Sequence, residues 1–228
     1  MPRSVDCLIL TCIRDLKLAT LLMRGCNRFW PEVRPVLVLD VDTRTETPLS
    51  ADVREVVRRV PYLRRVFDFP YITRTDRYVV LDSDCLIYRK PMEFAGMRFQ
   101  GNPGGGDRDE GLQLWKEMGV TIDSQNVRFC SGMYSTDKSL FIKNRDLAID
   151  WVRRCVAKGY DKCRHRGVIC CQSLTSGLWR QAYAHSPLPP ADYPYGTFVP
   201  GCAIWHLSSD VVARPYGRAM IAAYEVLV

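Results

Sequence analysis

The chain has 228 residues, 47% of them hydrophobic, enough apolar material to bury a full core as one large domain or two small ones. Its 32 basic and 25 acidic residues leave a net charge of +7, mostly arginine, without the aromatic-interleaved basic stretches of a nucleic-acid binder. No stretch of 18 apolar residues occurs, so no membrane span is expected, and the basic balance favours a small phosphate-bearing ligand over DNA or RNA.

The amino end, Met1 to Asp6, runs into a short strand and lacks a signal-peptide pattern. Val5 to Cys12, β-branched and leucine-rich, reads as a buried strand. Between Asp15 and Arg28, Leu18, Leu21, Leu22 and Cys26 recur at helical spacing. Val36 to Leu39 is a second buried strand, ending at Asp40. Thr43 to Leu49 reads as loop, and Ala51 to Val60 as a helix stopped by Pro61. Val79 to Leu81 is the third strand. This alternation predicts an α/β fold, a mixed and mainly parallel sheet flanked by helices, with ligands at the carboxyl ends of the strands. Thr11, Asp40 and Asp82 fall at those ends.

The second half is less regular. Gly101 to Asp107 is glycine-rich and reads as an ordinary surface loop or a lid that orders over substrate. Val127 to Tyr134 and Ser139 to Ile142 read as strands, Asp146 to Lys158 and Val168 to Trp179 as helices, and Phe198 to Leu207 as an apolar strand-like run ending near His206. No repeat or linker interrupts the chain, so residues 1–228 are expected to form a single domain with two halves, 1–100 and 101–228. The ten cysteines show no CxxC pair, and most sit inside apolar runs, which fits a reduced, cytoplasmic setting. Cys155, Cys163, His165, Cys170 and Cys171 match no zinc-site spacing.

The most telling segment is Tyr78 to Ile87, where an apolar strand ends in Asp82-Ser83-Asp84 and then resumes. On an extended chain, acids at i and i+2 point the same way. Crowded carboxylates call for a cation, and oxygen ligands suit Mg²⁺ or Mn²⁺, ions that bridge protein carboxylates to phosphates. The competing reading is a solvated turn.

Further along the chain, Tyr62-Leu63-Arg64-Arg65 puts an arginine 17 residues before Asp82, ambiguous by one position. Cys171-Gln172-Ser173-Leu174-Thr175-Ser176-Gly177-Leu178 is similar to Asp-Gln-Asp-x-Leu-Asn-Gly-Leu, and His206 is followed by Arg214-Pro215-Tyr216. In that order these motifs resemble metal-dependent nucleotide-sugar glycosyltransferases of the GT-A fold, most of all the retaining galactosyltransferase and glycogenin group. The compact size and altered pocket also resemble sugar transferases of large algal viruses, for which the setting would be host cytoplasm. Departures occur at Cys171, Ser173 and Ser176, and at Cys130-Ser131-Gly132 where the family has Asn-x-Gly, so the sugar need not be galactose or glucose.

The resemblance implies a UDP-sugar donor held in the first half, and a glycan or glycoprotein acceptor met by the second. It implies Mn²⁺ (or Mg²⁺) on Asp82, Asp84 and His206, and donor contacts from Thr11, Arg14, Arg65, Ser83 and Arg214. Gln172 would lie at the sugar's reacting face, with Cys171 a less favoured nucleophile. Asp107 and Asp109 within Gly104–Glu110, and the aromatic residues Trp115, Tyr134 and Trp179, are the candidate acceptor contacts. Each residue also has a structural reading: His206 and the aromatics as core, the arginines as surface charge, Gln172 as a polar helix face. Two rivals stay open at this level: an Asp-x-Asp phosphohydrolase, and a nucleotide-sugar-binding module that has lost turnover.

Overall fold

The structure, a computed structural model, describes residues 5–40, 48–101, 109–120, 122, 128–162, 168–183 and 187–228. Strands β1 (Val5–Thr11), β2 (Val33–Leu39), β3 (Arg77–Asp82), β5 (Phe99–Gly101) and β6 (Phe129–Asp137) form one sheet in the order β2-β1-β3-β6-β5. The first three run parallel, and β6 pairs antiparallel to both β3 and β5. A second, two-stranded sheet pairs β4 (Cys85–Ile87) antiparallel with β7 (Ile204–His206). The mixed, mainly parallel sheet expected from the sequence is therefore present.

The alternation of a strand explains why this sheet is covered on both faces. Leu8, Leu10, Tyr78 and Val80 pack against Val53, Val56 and Val57 of α2 (Ala51–Arg59) in one core. Cys7, Ile9, Val79 and Leu81 pack on the other side against Ala19, Leu22 and Cys26 of α1 (Leu16–Phe29). All eight of these strand residues are buried, which leaves their main chain stiff where β1 and β3 end.

Several boundaries differ from the sequence reading, each for a local reason. β2 begins at Val33 rather than Val36 and runs through Pro35. Helical turns over Pro61–Leu63, Arg64–Phe67 and Phe69–Ile72 fill the approach to β3, where no periodic pattern is long enough to announce a helix. Ser139 to Ile142 is not a strand but lies in α4 (Lys138–Lys143); Leu140 and Phe141 are buried while Ile142 is 40% exposed, so one side of a helical turn faces the core. The helix α3 (Asp109–Glu117) follows the glycine-rich loop. α5 (Arg145–Ala157) matches its expected span within a residue. The predicted helix from Val168 divides into a π-helical turn, Val168–Ser173, and α6 (Leu174–Ala182). Of the run from Phe198 to Leu207, only Ile204–His206 is strand. Residues 41–47 and 102–108, which cover most of the two predicted loops, lie outside the described residues.

Two polar devices hold the frame at a distance from the strand ends that matter for function. At the amino end of β1, Asp6 is 1% exposed and takes both arms of Arg34, at 2.7 Å each, with Thr73 Oγ1 and the Arg74 amide also donating to it. Burial opposes ionisation of Asp6, but Arg34 and these donors hold its carboxyl below the usual range. At the carboxyl end of the chain, α7 (Ser209–Ala213) is capped by the Ser208 hydroxyl and leads into α8 (Pro215–Leu227). From α8 the buried Tyr224 hydroxyl donates to the Ile87 carbonyl at 2.7 Å and accepts from the Ile87 amide at 3.0 Å. Gly25 of α1 makes room for it, since a Cβ there would lie 2.1 Å from that hydroxyl.

Tyr224→Phe should strand both main-chain groups of Ile87 away from water and cost about 1–3 kcal/mol. Urea unfolding reads this as a lower midpoint at unchanged slope; an unchanged midpoint would show that α8 does not secure β4.

Candidate active site

Strand β3 delivers Asp82 as its last residue, Ser83 and Asp84 form the turn that follows, and β4 starts at Cys85. Asp82 and Asp84 thus do not continue one extended strand, as their spacing suggested, yet both border the same cleft. The link to the distant histidine is made by main-chain pairing. Cys85 lies opposite His206 in the β4–β7 register, and the Leu207 amide donates to the Asp84 carbonyl at 3.0 Å. The imidazole, 3% exposed, brings its Nε2 to 3.3 Å from Asp84 Oδ1 and 3.5 Å from Asp82 Oδ2.

The two carboxylates are not equivalent. Asp82 is paired with Arg65, itself 2% exposed, and Arg65 also donates to the Ser131 carbonyl at 3.0 Å and hydroxyl at 3.1 Å. Burial opposes the charge on Asp82, but the Arg65 guanidinium and the His206 ring hold its carboxyl down at about 2. Asp84 has no arginine partner among the described residues and meets the ring alone. Burial likewise disfavours a charged imidazole, yet the field of Cys85, Asp84 and Asp82 raises the His206 pKa well above its ordinary value. A site that draws a proton onto Nε2 in this way is one where a cation can take the proton's place.

The ambiguity between Arg64 and Arg65 resolves by geometry. Arg64 is paired with Asp68 at 2.6 Å and bonded to the Leu39 carbonyl, so it ties the helical turns to β2. Arg65 faces the acids, and the Tyr62 ring lies 5.2 Å from its guanidinium.

The cleft has a volume of 440 Å³ and is walled by Thr11, Cys12, Arg14, Asp15, Asp40, Tyr62 and the Asp82–Asp84 turn. Thr11 is buried, while Arg14 is exposed and forms a two-pronged pair with Asp15 at 2.9 and 3.0 Å. Ser83 is nearly buried between the acids. Arg214 is exposed at the junction of α7 and α8 and is not among the residues that wall the cleft. Cys171, in the π-helical turn, is buried. Its thiol donates to the Tyr62 carbonyl at 3.1 Å and lies 3.6 Å from the Ser131 hydroxyl. Burial pushes that thiol up, which keeps it protonated rather than nucleophilic. Gln172 beside it carries a buried Oε1 with no partner among the described residues.

The acceptor candidates are dispersed. Asp109 opens α3, exposed and paired with Arg128 at 3.1 Å, while Asp107 lies outside the described residues. Tyr134, Trp115 and Trp179 are wholly buried and offer no face on which a sugar could stack. Trp115 and Trp179 donate to the Ser173 and Ser135 carbonyls. The glycine of the Gln172 motif has a packing role, for a Cβ on Gly177 would lie 2.1 Å from the Trp115 ring.

Three residues at the site escaped the sequence reading of its chemistry. A Cβ on Gly132 would stand 2.0 Å from Asp82 Oδ2 and 2.8 Å from His206 Cε1, so β6 closes on the acids only because it has no side chain there. Asp40, seen only as a strand end, presents a buried Oδ1 with no partner among the described residues in the cleft wall. Cys85 is the third: with Asp84 and His206 it forms a trio of ligand atoms all within 4.8 Å of one another. Burial holds its thiol well above the ordinary range, while Asp84 and His206 offer oxygen and imidazole donors. That set fits a small divalent cation.

No protein-family model matches the chain, and no curated protein matches it in sequence. Solved structures do match. A galactosyltransferase, LgtC, in complex with donor and acceptor sugar analogs aligns with a TM-score of 0.61 at 9% identity, over 97% of this chain and 96% of that one. The glycosyltransferase GlyE of Streptococcus pneumoniae TIGR4 aligns with a TM-score of 0.57 at 12% identity over 98% of this chain and 60% of its own length. The bifunctional glycosyltransferase WbbM gives 0.56 at 11%, over 92% and 46%. The chain therefore has the GT-A fold. No helix among the described residues is long and apolar enough to cross a membrane.

Gly132→Ala should force Asp82 and the His206 ring apart and destabilise the protein by about 1–3 kcal/mol. Thermal unfolding checks this; a variant as stable as the parent would mean that β6 has room to withdraw.

Proposed function

We propose that the protein is a glycosyltransferase that moves a sugar from a nucleotide diphosphate, most simply UDP, to a hydroxyl of a glycan or glycoprotein. The observation that carries this reading is the imidazole of His206 against Asp84 and Asp82, at the edge of a polar cleft in a GT-A fold. Asp84 and His206 would hold a divalent cation directly, with Asp82 beside them under the control of Arg65. Imidazole among the ligands favours Mn²⁺ over Mg²⁺. When bound, that cation supplies Lewis-acid stabilisation of the departing diphosphate.

The residues of the chain supply the rest. Thr11, Arg14 and Asp15 lie on the cleft wall near the end of β1, which supports assigning them to the nucleoside. Ser83, between the two acids on the cleft wall, is assigned to the phosphates. Arg65 acts through Asp82, keeping that carboxylate ionised and oriented inside a buried setting. Gln172, whose carbonyl oxygen is buried and unpaired, is assigned to the sugar's reacting face, where it would steady the cation-like anomeric carbon. In the transfer, the bond from the anomeric carbon to the diphosphate oxygen breaks and a bond to the acceptor oxygen forms. The acceptor's hydroxyl proton leaves with the diphosphate or to solvent. Retention of anomeric configuration follows the resemblance in sequence, and an active-site mutant of LgtC with glutamate in place of glutamine belongs to the same group of structural matches. Asp109, with Asp107 outside the described residues, is assigned to the acceptor side. A phosphohydrolase is not favoured, because an aspartyl nucleophile must be free to attack and Asp82 is held by Arg65 and His206.

Calorimetry with UDP should show binding that requires Mn²⁺, and Asp84→Ala should abolish that dependence without unfolding the protein. Slow release of UDP from a UDP-sugar should fall by ~10²–10³ in the same variant. UDP binding equal with and without Mn²⁺, or unchanged in Asp84→Ala, would contradict the assignment. Binding without any turnover would identify the inactive binding module instead.

A further inference from the structure

Gln100 lies on β5, on the far side of β6 from the acids in strand order, and nothing in the motif pattern points to it. It is 1% exposed. Its amide nitrogen donates to two main-chain carbonyls, Tyr193 at 3.0 Å and Pro194 at 3.3 Å. Those two bonds settle which end of the amide is which. The reverse orientation would set the amide oxygen against two carbonyl oxygens and take from the Tyr193 carbonyl its side-chain donor. The oxygen Oε1 is therefore the end that faces His206, and it lies 2.6 Å from Nδ1. An acceptor at that distance requires a proton on Nδ1. The lone pair of a neutral ring is then on Nε2, the nitrogen that faces Asp84 and Asp82.

We infer that Gln100 is a positioning residue for the metal-binding histidine: it fixes the Nδ1–H tautomer of His206 and aims Nε2 at the two carboxylates. Metal-bound histidines commonly donate their second N–H to an oxygen acceptor, and loss of that partner weakens binding by about 10–100-fold. Here the acceptor is itself oriented by main-chain bonds, so the ring is held through the segment at Tyr193 and Pro194. The same segment supports the ring twice more. The His206 amide donates to the Pro194 carbonyl at 3.1 Å, and the Tyr195 ring stands edge-on to the imidazole with centroids 4.8 Å apart. Gln100 thus couples the edge strand of the large sheet to the small sheet that carries His206.

This inference rests on the reading of His206 as a metal ligand, and the two are separable by experiment. The chain has only three histidines, His165, His185 and His206, so long-range ¹H–¹⁵N spectra of the labelled full-length protein can be assigned with a His206→Gln control. At a pH high enough for the ring to be neutral, His206 should carry its proton on Nδ1. A proton on Nε2 in the parent protein would overturn the inference, whatever the metal does. For binding of Mn²⁺ alone, Gln100→Leu should raise the dissociation constant tenfold or more. Gln100→Glu loses the donor to the Tyr193 and Pro194 carbonyls but keeps an oxygen toward Nδ1, and should lose clearly less affinity than Gln100→Leu. Equal losses in both variants would mean that Gln100 serves only the Tyr193 and Pro194 carbonyls, and would overturn its role toward the ring. A parent protein that binds no Mn²⁺ but shows the Nδ1–H tautomer would refute the metal site and leave the Gln100–His206 contact standing.

Discussion

The register of a three-residue antiparallel ladder governs the candidate site. Cys85 opposite His206 carries an imidazole from the last part of the chain to within 3.5 Å of two acids at the end of β3. A slip of one residue would turn the ring to the opposite face of the strand, because side chains alternate with a period of two. So short a ladder does not hold its register by itself. Tyr224 binds Ile87 at one end, the Leu207 amide binds the Asp84 carbonyl at the other, and the Pro194 carbonyl takes the His206 amide on the outer edge. These tethers reach β4 and β7 from α8 and from the segment at Tyr193, so the C-terminal elements act on the site through its frame.

Electrostatics then separates two carboxylates that a sequence motif presents as a pair. Asp82 is stabilised as an anion by a buried arginine, and the cost of burying both charges is offset by their proximity and by the Ser131 bonds. Among the described residues, Asp84 has only the imidazole as a charged partner. The net negative field therefore falls on the side of the cleft where Asp84 and Nε2 meet, and Gly132 lets β6 come close to Asp82 and the His206 ring. Both Arg65 and Arg14 are paired with the protein's own acids, but Arg65 is buried against Asp82 while Arg14 is exposed beside Asp15 on the cleft wall.

Much of the first half was legible because its signals are local. Buried parallel strands are continuous apolar runs, α1 and α2 have clear periodicity, and acids at strand ends stand out against that background. The resemblance to a known family implied that His206 and Asp84 meet, and the ring lies 3.3 Å from that acid. What sequence could not show is contact made through the sheet. Gln100 lies in the three-residue β5 and Gly132 is one small residue within the nine-residue β6, and only the packing of these strands against the site gives them meaning. Tyr134, Trp115 and Trp179 illustrate the opposite error: aromatics suited to stacking on sugars are equally suited to filling a core, and burial alone decides between those uses. Ser139 to Ile142 was misread as a strand because a four-residue apolar run has no period of its own.

The most direct test of this account is pulsed electron paramagnetic resonance of Mn²⁺ bound to the intact protein. A nitrogen coupling from a single imidazole is expected, and it should vanish in His206→Ala while persisting in variants of His165 and His185. Bound Mn²⁺ with no nitrogen coupling, or with a coupling that survives His206→Ala, would contradict the claim that the β4–β7 ladder builds the cation site.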